Sequence, residues 1–219
     1  MDESKVAIAY NLSGAVEAVR AGRFVVLVDV IDMSTTLETV REAGACGFWG
    51  AAPSGKNLPY VNPYLIGRAA AKEAREKGAQ LVVVVEPRGG LEAERRRNAA
   101  DVLAGFQAEY MEAECLLPNL GAETARLIDW RHKIVVAVTA AGGVIFDAVY
   151  QLGGRLTTAT IARTMRMKGI EPARAGLRRA LALAGNLPLT LVAASSNALE
   201  DVLAVHYLAG LLHTEMGIG

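Results

Sequence analysis

Carboxylates and hydroxyls that could bind a metal or an anion follow the first valine-rich run of the chain. Residues 24–36 read FVVLVDVIDMSTT. The apolar run predicts a buried strand, because β-branched side chains pack well on a pleat and no polar residue alternates with them. Asp29 ends this strand, and Asp32 and three hydroxyl residues follow in the turn, where open α/β sheets bind ligands. The structural alternative is that Asp29 caps a turn and that Thr35 forms a capping box with Glu38.

A second valine run ends in an acid and is followed by an arginine and two glycines. Residues 81–90 read LVVVVEPRGG, with Glu86 at the end of the predicted strand. Arg88 could hold phosphate or sulfonate through two parallel hydrogen bonds. Gly89 and Gly90 would let backbone amides approach an anion closely. A glycine turn with a surface ion pair explains the same residues.

Two later strand ends complete the set. Residues 136–143, VAVTAAGG, place Thr139, Gly142 and Gly143 where backbone amides could form an anion nest, although a tight strand–helix turn also explains the glycines. Residues 191–201, LVAASSNALED, place Ser196, Glu200 and Asp201 at a helix start. Here the structural alternative is a cap pair of Asn197 with Glu200 and acids that favour the helix dipole. Because all four segments follow strands, we expect them to converge on one sheet edge as a site for Mg²⁺ and a small anionic ligand.

The elements that position these residues alternate along the chain. Apolar runs predict strands at 5–9, 24–30, 46–51, 81–85, 134–138, 155–159 and 189–193, and amphipathic patterns predict helices in most of the gaps. Strand–helix alternation is typical of right-handed crossovers. We therefore predict one α/β domain over residues 1–219, a three-layer α/β/α sandwich around a mostly parallel or mixed open sheet.

Composition excludes several classes of partner. The 23 basic and 23 acidic side chains balance, which argues against nucleic-acid binding. No apolar run is long enough to span a bilayer, so no membrane association is expected. Cys46 and Cys115 show no metal-binding spacing, and residues 1–10 lack the order of a signal peptide, so a cytoplasmic location is expected. The sequence is compatible with either a monomer or a homo-oligomer.

One further motif favours nucleotide binding only superficially. Residues 50–57, GAAPSGKN, match most of a P-loop but end in Asn57 where Ser or Thr should bind magnesium. A P-loop must run directly into a helix, and Pro59 and Pro63 prevent a helix from starting in time. We therefore predict a plain loop here.

Taken in order, the motifs resemble the 2-phosphosulfolactate phosphatase family, the magnesium-dependent phosphatases of coenzyme M biosynthesis. VVLVDVIDMSTTLETVREAGA is similar to that family's D-V-L-R-A-[ST]-[ST]-T segment and the helix after it, and EPRGG is similar to G-E-R-G-G. VTAAGG stands in the place of T-T-N-G-T, and SSNALEDVLAVHYLAG in that of G-x-x-S-L-E-D-V-L-x-A-G. The resemblance covers most of the chain and implies a single three-layer α/β domain.

The chain departs from the family pattern at several points. Asp32 replaces the family's arginine, Pro87 separates its Glu–Arg pair, and either Ala141 or Gly142 replaces its asparagine. No counterpart of its D-x-G-N-S-P segment is recognisable between Gly90 and Lys133.

The resemblance implies a magnesium-dependent phosphatase-like hydrolase acting on a small phosphorylated hydroxy acid. On this basis Asp29, Ser34 and Thr35 would be catalytic, and Asp29, Glu200 and Asp201 would hold Mg²⁺. The substrate-binding residues would be Arg88, Gly89, Gly90, Thr139, Gly142, Gly143 and Ser196. The alternative is a non-catalytic relative that binds a small molecule or serves as an accessory protein, and the charge inversion at Asp32 favours it.

Overall fold

Strands and helices alternate along almost the whole chain. The structure, a computed structural model, describes residues 5–217, so residues 1–4, part of the acidic start, and residues 218–219 lie outside it. The strands are β1 (Val6–Tyr10), β2 (Phe24–Val28), β3 (Gly47–Ala51), β4 (Gln80–Val85), β5 (Ala113–Pro118), β6 (Lys133–Val138), β7 (Leu156–Thr158) and β8 (Leu189–Ala193). The helices are α1 (Asn11–Arg20), α2 (Thr35–Glu42), α3 (Pro63–Lys77), α4 (Glu92–Asn98), α5 (Ala100–Ala108), α6 (Gly142–Gln151), α7 (Glu171–Ala184) and α8 (Leu199–Met216). A π-helical turn (Val30–Ser34) and a 3-10 helix (Gly121–Arg126) complete the set.

The strands form two parallel four-stranded sheets. The first has the order β1-β8-β2-β7 and the second the order β3-β6-β4-β5, and every pairing is parallel. The predicted α/β class is confirmed, but the single open sheet is replaced by two sheets. Strands β3 and β7 are edges, and side chains of α2 and α6 such as Leu37 and Phe146 line the gap between them.

Alternate residues of the valine-rich strands face two different helix layers. In β2, Val26 and Val28 pack with α7 and α8, whereas Val25 and Leu27 pack with α1, α2 and α6. Helices α3 and α5 cover the other face of the second sheet. Strands buried on both faces need continuous apolar sequence, which explains the valine runs. The result is the predicted three-layer α/β/α arrangement.

Local predictions fare unevenly. Helix α3 ends at Gly78 in the left-handed conformation, as the glycine predicted. Residues 121–130, GAETARLIDW, follow one of the amphipathic patterns that predict a helix, but only the 3-10 helix forms there, and β5 was not predicted. Residues 50 and 51 end β3, and no helix starts between residue 52 and Pro63, so the rest of the 50–57 segment is the predicted loop. Among the described residues, no helix is both long and apolar enough to cross a membrane.

Candidate functional site

The turn after β2 places the Asp29 carboxylate against two backbone amides. The Ser34 amide donates to the Asp29 carbonyl at 2.7 Å, a five-residue spacing that closes a π-helical turn. Such turns occur frequently at functional sites. One Asp29 carboxylate oxygen accepts from the Asp32 amide at 3.0 Å, so Asp29 does cap its turn, and the other accepts from the Gly142 amide at 2.8 Å. The carboxylate therefore joins the strand ends of β2 and β6.

The other two predicted segments meet the same turn. Asp201 Oδ1, in the first turn of α8, accepts from the Val30 amide at 2.8 Å. Glu86, after β4, lies beside Asp32, which raises the pKa of Glu86, and Asn119 Nδ2 contacts both residues. All four segments therefore converge, as the strand-end argument predicted, and they do so across the two sheets. Parallel pairing is the reason, because it puts the carboxyl ends of neighbouring strands on one edge.

Asn119 lies at the centre of this convergence and was not predicted. It follows β5, is 1% exposed, and donates through Nδ2 to the Asp32 carbonyl and, at 3.4 Å, to Glu86 Oε1. Its own Oδ1 accepts from the Thr36 hydroxyl at 2.5 Å, and its carbonyl accepts from Arg88 Nε at 2.7 Å. Because β5 was not predicted as a strand, Asn119 was not expected to lie at a strand end, and no sequence pattern pointed to it.

The carboxyl groups disfavour one another's ionisation. Burial, followed by the charges of Asp201 and Asp32, raises the pKa of Asp29 to about 7. Burial and then the hydrogen bond and charge of Asp32 raise the pKa of Glu86 to about 8. Burial, with added repulsion from Glu200 and Asp32, raises the pKa of Asp201 to about 6. Within the described part of the chain no lysine or arginine forms an ion pair with Asp29, Asp32, Glu86 or Asp201.

The hydroxyl groups predicted to be catalytic are engaged within the protein. Ser34 is fully buried, and its hydroxyl accepts from the Asp29 amide and donates to the Leu27 carbonyl. The Thr35 hydroxyl bonds to the Val30 carbonyl at 2.5 Å and to the Thr160 hydroxyl at 2.8 Å. Both hydroxyl groups therefore help to hold the turn in position.

Two predicted cap pairs, the capping box of Thr35 with Glu38 and the pair of Asn197 with Glu200, were wrong. The N-cap residue of α2 is Ser34, whose side chain makes no capping hydrogen bond. The Glu38 carboxylate accepts from the Thr158 hydroxyl instead of pairing with Thr35. The cap of α8 is Ala198, again without a side-chain bond, so Asn197 and Glu200 form no cap pair.

The glycine turn before α6 is likewise occupied by the protein. The Gly142 amide binds Asp29, and the Gly143 amide donates to the buried Thr139 hydroxyl at 2.8 Å. A Cβ at Gly142 would lie 2.3 Å from Asp29 Oδ2, and one at Gly143 would lie 2.0 Å from the Ala51 carbonyl oxygen. Close packing accounts for both glycines, and these two amides do not form the expected free anion nest.

Arg88 and Gly89 remain exposed at the site. Arg88 lines an open cleft of about 420 Å³ together with Glu86 and Ala140. The Gly90 amide closes a turn onto the Pro87 carbonyl at 3.4 Å.

Ser196 and Glu200 lie at the start of the α8 segment. Ser196 is exposed, with its amide and hydroxyl both bonded to the side chain of Asn11. Glu200 is half-buried and close enough to raise the pKa of Asp201.

The donor set suits magnesium better than a softer metal. No three His, Cys, Asp or Glu side chains of residues 5–217 form a ready metal-binding group. Mg²⁺, however, is usually held by one or two carboxylates with water and substrate phosphate, so a full protein cage is not required. Asp32 and Glu86 supply two such carboxyl groups next to each other, and Asp29 and Asp201 lie beside them. The residues therefore fit the ion.

Comparison of the chain with protein-family models, curated proteins and solved structures finds no match. The resemblance to the 2-phosphosulfolactate phosphatases therefore remains a prediction from the motifs.

Proposed function

We propose that the protein is a magnesium-dependent, phosphatase-like hydrolase acting on a small phosphorylated hydroxy acid. One observation carries the proposal: the Glu86 carboxyl group lies next to that of Asp32, which raises the pKa of Glu86, beside two further acids and without a basic partner. Two ionised carboxylates are both acceptors, so such a contact needs either a proton or a cation between them. Because the pKa of Glu86 is raised to about 8, a proton fills this role at neutral pH when no metal is bound, and a divalent ion would displace it.

We infer that Asp32 has a different role from the arginine of the family pattern. It replaces an arginine of the family pattern, but its carboxyl group lies against Glu86. We infer that Asp32 and Glu86 would hold Mg²⁺ together with Asp29, and that Asp201 adds negative charge beside them. Glu200, predicted as a ligand, would act through its charge on Asp201.

The remaining residues would bind and orient the substrate. Bound Mg²⁺ would supply Lewis-acid polarisation of a phosphoryl oxygen. Arg88 borders the cleft and would hold the anion, with only its Nε committed to Asn119. Asp29 would contribute negative charge to the ion, with its two carboxylate oxygens held in place by the Asp32 and Gly142 amides. Ser34 and Thr35 would keep the turn in place.

A second candidate is a non-catalytic protein that binds a small anion. The observation in its favour is that the Ser34 and Thr35 hydroxyls and the Gly142 and Gly143 amides all bind other parts of the protein. Arg88 is then the main exposed cation of the cleft. That is little positive charge for a substrate with several negative groups.

The test is phosphate release from a panel of phosphorylated hydroxy acids, with Mg²⁺ and with a chelator. We expect turnover that requires Mg²⁺ and falls at least about a hundredfold in Glu86→Gln, since ~3 kcal/mol of transition-state stabilisation would be lost. Asp129→Asn is the matched control, because Asp129 is exposed and paired with Arg131.

The two candidates give different results. Mg²⁺ binding in calorimetry without turnover of any panel member would reject the hydrolase and favour the non-catalytic protein. Turnover that is unchanged by the chelator and by Glu86→Gln would reject the proposed site.

A further inference from the structure

The gap between the two sheets forms a second cleft, separate from the carboxyl cluster. It has a volume of about 340 Å³ and lies between β3 and β7, with α2 and α6 on its other sides. Small-molecule sites usually enclose ~300–1,000 Å³. The β3 residues that line it are Gly47, Phe48 and Trp49, at the start of that strand, and none of the four carboxyl groups of the cluster lines it.

Arg41 brings incompletely paired positive charge into this cleft. Its Nε is buried and has no hydrogen-bond partner, and the closest carboxylate oxygen, Glu38 Oε2, is 4.0 Å away. Glu38 is 1% exposed and its other oxygen already binds Arg179 and the Thr158 hydroxyl. Two arginines thus share one carboxylate. Burial and the charge of Arg179 lower the pKa of Arg41 to about 10, so both disfavour the charged guanidinium. An anion bound nearby would stabilise the charged form.

Aromatic rings also line the cleft. The Arg41 guanidinium lies 3.7 Å from the Phe48 ring centre, so one face of the guanidinium is stacked. Trp49 meets Tyr150 edge to face at 5.1 Å and packs against Phe146 at 6.2 Å. Such surfaces favour flat apolar ligands over hydrated inorganic ions.

One acid also lines the cleft, but it is already neutralised. Glu73 Oε2 accepts from Trp49 Nε1 at 2.6 Å, and Glu73 Oε1 pairs with Lys77 at 2.6 Å. The net charge that faces the cavity is therefore positive, from Arg41. A ligand that carries both a ring and a single carboxylate would match the wall and the charge together.

We propose that the cleft between β3 and β7 is a binding site for a small aromatic carboxylate, with Arg41 holding the carboxylate and the aromatic wall holding the ring. The site does not overlap the proposed hydrolase site and does not depend on it.

The probe is 1-naphthoate, titrated into the full chain by calorimetry, with the neutral 1-naphthamide as the isosteric comparison. We expect saturable binding of naphthoate that weakens at least about tenfold for the amide and at least about tenfold in Arg41→Met. Arg88→Met is the control and should bind normally, because Arg88 lies at the other cleft.

Tryptophan fluorescence locates the bound probe. Trp49 lines the cleft, whereas Trp130 is 1% exposed in the core with its Nε1 bonded to the Ala125 carbonyl. Naphthoate should quench the unmodified chain, and Trp49→Phe should keep calorimetric binding but lose most of the quenching. If Arg41→Met does not fold, Arg41→Lys replaces it and should also weaken binding, because lysine cannot stack and grip a carboxylate in the same way.

Three results would overturn the proposal. They are the absence of saturable naphthoate binding, equal affinity for acid and amide, and loss of binding in Arg88→Met with retention in Arg41→Met.

Discussion

The carboxyl cluster should make the protein less stable as the pH rises. Asp29 is 3% exposed, and its pKa in the folded protein, about 7, lies above its ordinary value of 3.8. Between these values the folded state keeps a proton that the unfolded state has lost. Folding is therefore favoured at low pH, and this contribution disappears as the pH rises through about 7. Asp201 and Glu86, whose pKa values are also raised, act in the same direction.

The size of the effect follows from the linkage relation. The full change for Asp29 is an upper bound of ~4 kcal/mol, of which ~2 kcal/mol falls between about pH 5.5 and pH 8.5. For a chain of this length that corresponds to a fall in Tm of roughly 4–8 °C. Carboxylates with lowered pKa values, such as Asp129 at about 2, titrate below this window and do not mask it.

The assay is urea denaturation at the two pH values, with and without Mg²⁺. We expect Mg²⁺ to restore stability at the higher pH, by ~3 kcal/mol at a hundredfold excess over its Kd. Asp32→Asn should lessen the pH dependence, because it removes a charge that raises the pKa of both Asp29 and Glu86. Asp129→Asn should leave the pH dependence unchanged. Stability that is constant or increases from pH 5.5 to pH 8.5 in the absence of metal would refute the reasoning.

Three further outcomes are expected. Gly142→Ala should lose ~2 kcal/mol of unfolding free energy in denaturation, because its Cβ would displace the Asp29 carboxylate, whereas Gly89→Ala, which meets nothing within 4 Å, should be close to neutral. Hydrolysis of 2-phosphosulfolactate should be weak, since Arg88 is the main cation of the cleft and this substrate carries several negative groups; turnover as rapid as that of the best panel member would contradict that account. Calorimetry should detect no ATP binding with Mg²⁺, because no helix starts directly after residue 57 to supply free backbone amides to a phosphate. ATP binding that Lys56→Ala abolishes would show that this reasoning is wrong.

Much of the fold could be predicted from local sequence. Valine runs predict strands buried on both faces, and helix ends such as Gly78 follow from backbone preference alone. Strand β5 escaped prediction because AECLLP mixes polar and apolar residues and is only partly buried, so its strand character depends on pairing with β4. The π-helical turn escaped as well. The Ser34 hydroxyl accepts from the Asp29 amide, and the Ser34 amide donates to the Asp29 carbonyl. These bonds compete with the expected cap at Thr35.

The sequence alone determined the α/β class and the strand ends at which polar residues collect, because both follow from residue types and their spacing. Only the tertiary structure decided which polar residues meet. Asn119 lies 87 positions from Asp32 along the chain, and Glu86 lies 54 positions from it, yet the three are in hydrogen-bond contact. Whether Asp32 marks a lost phosphate contact or joins a cation site depends on its neighbours. Parallel pairing within each sheet and the packing of the two sheets brought those neighbours together.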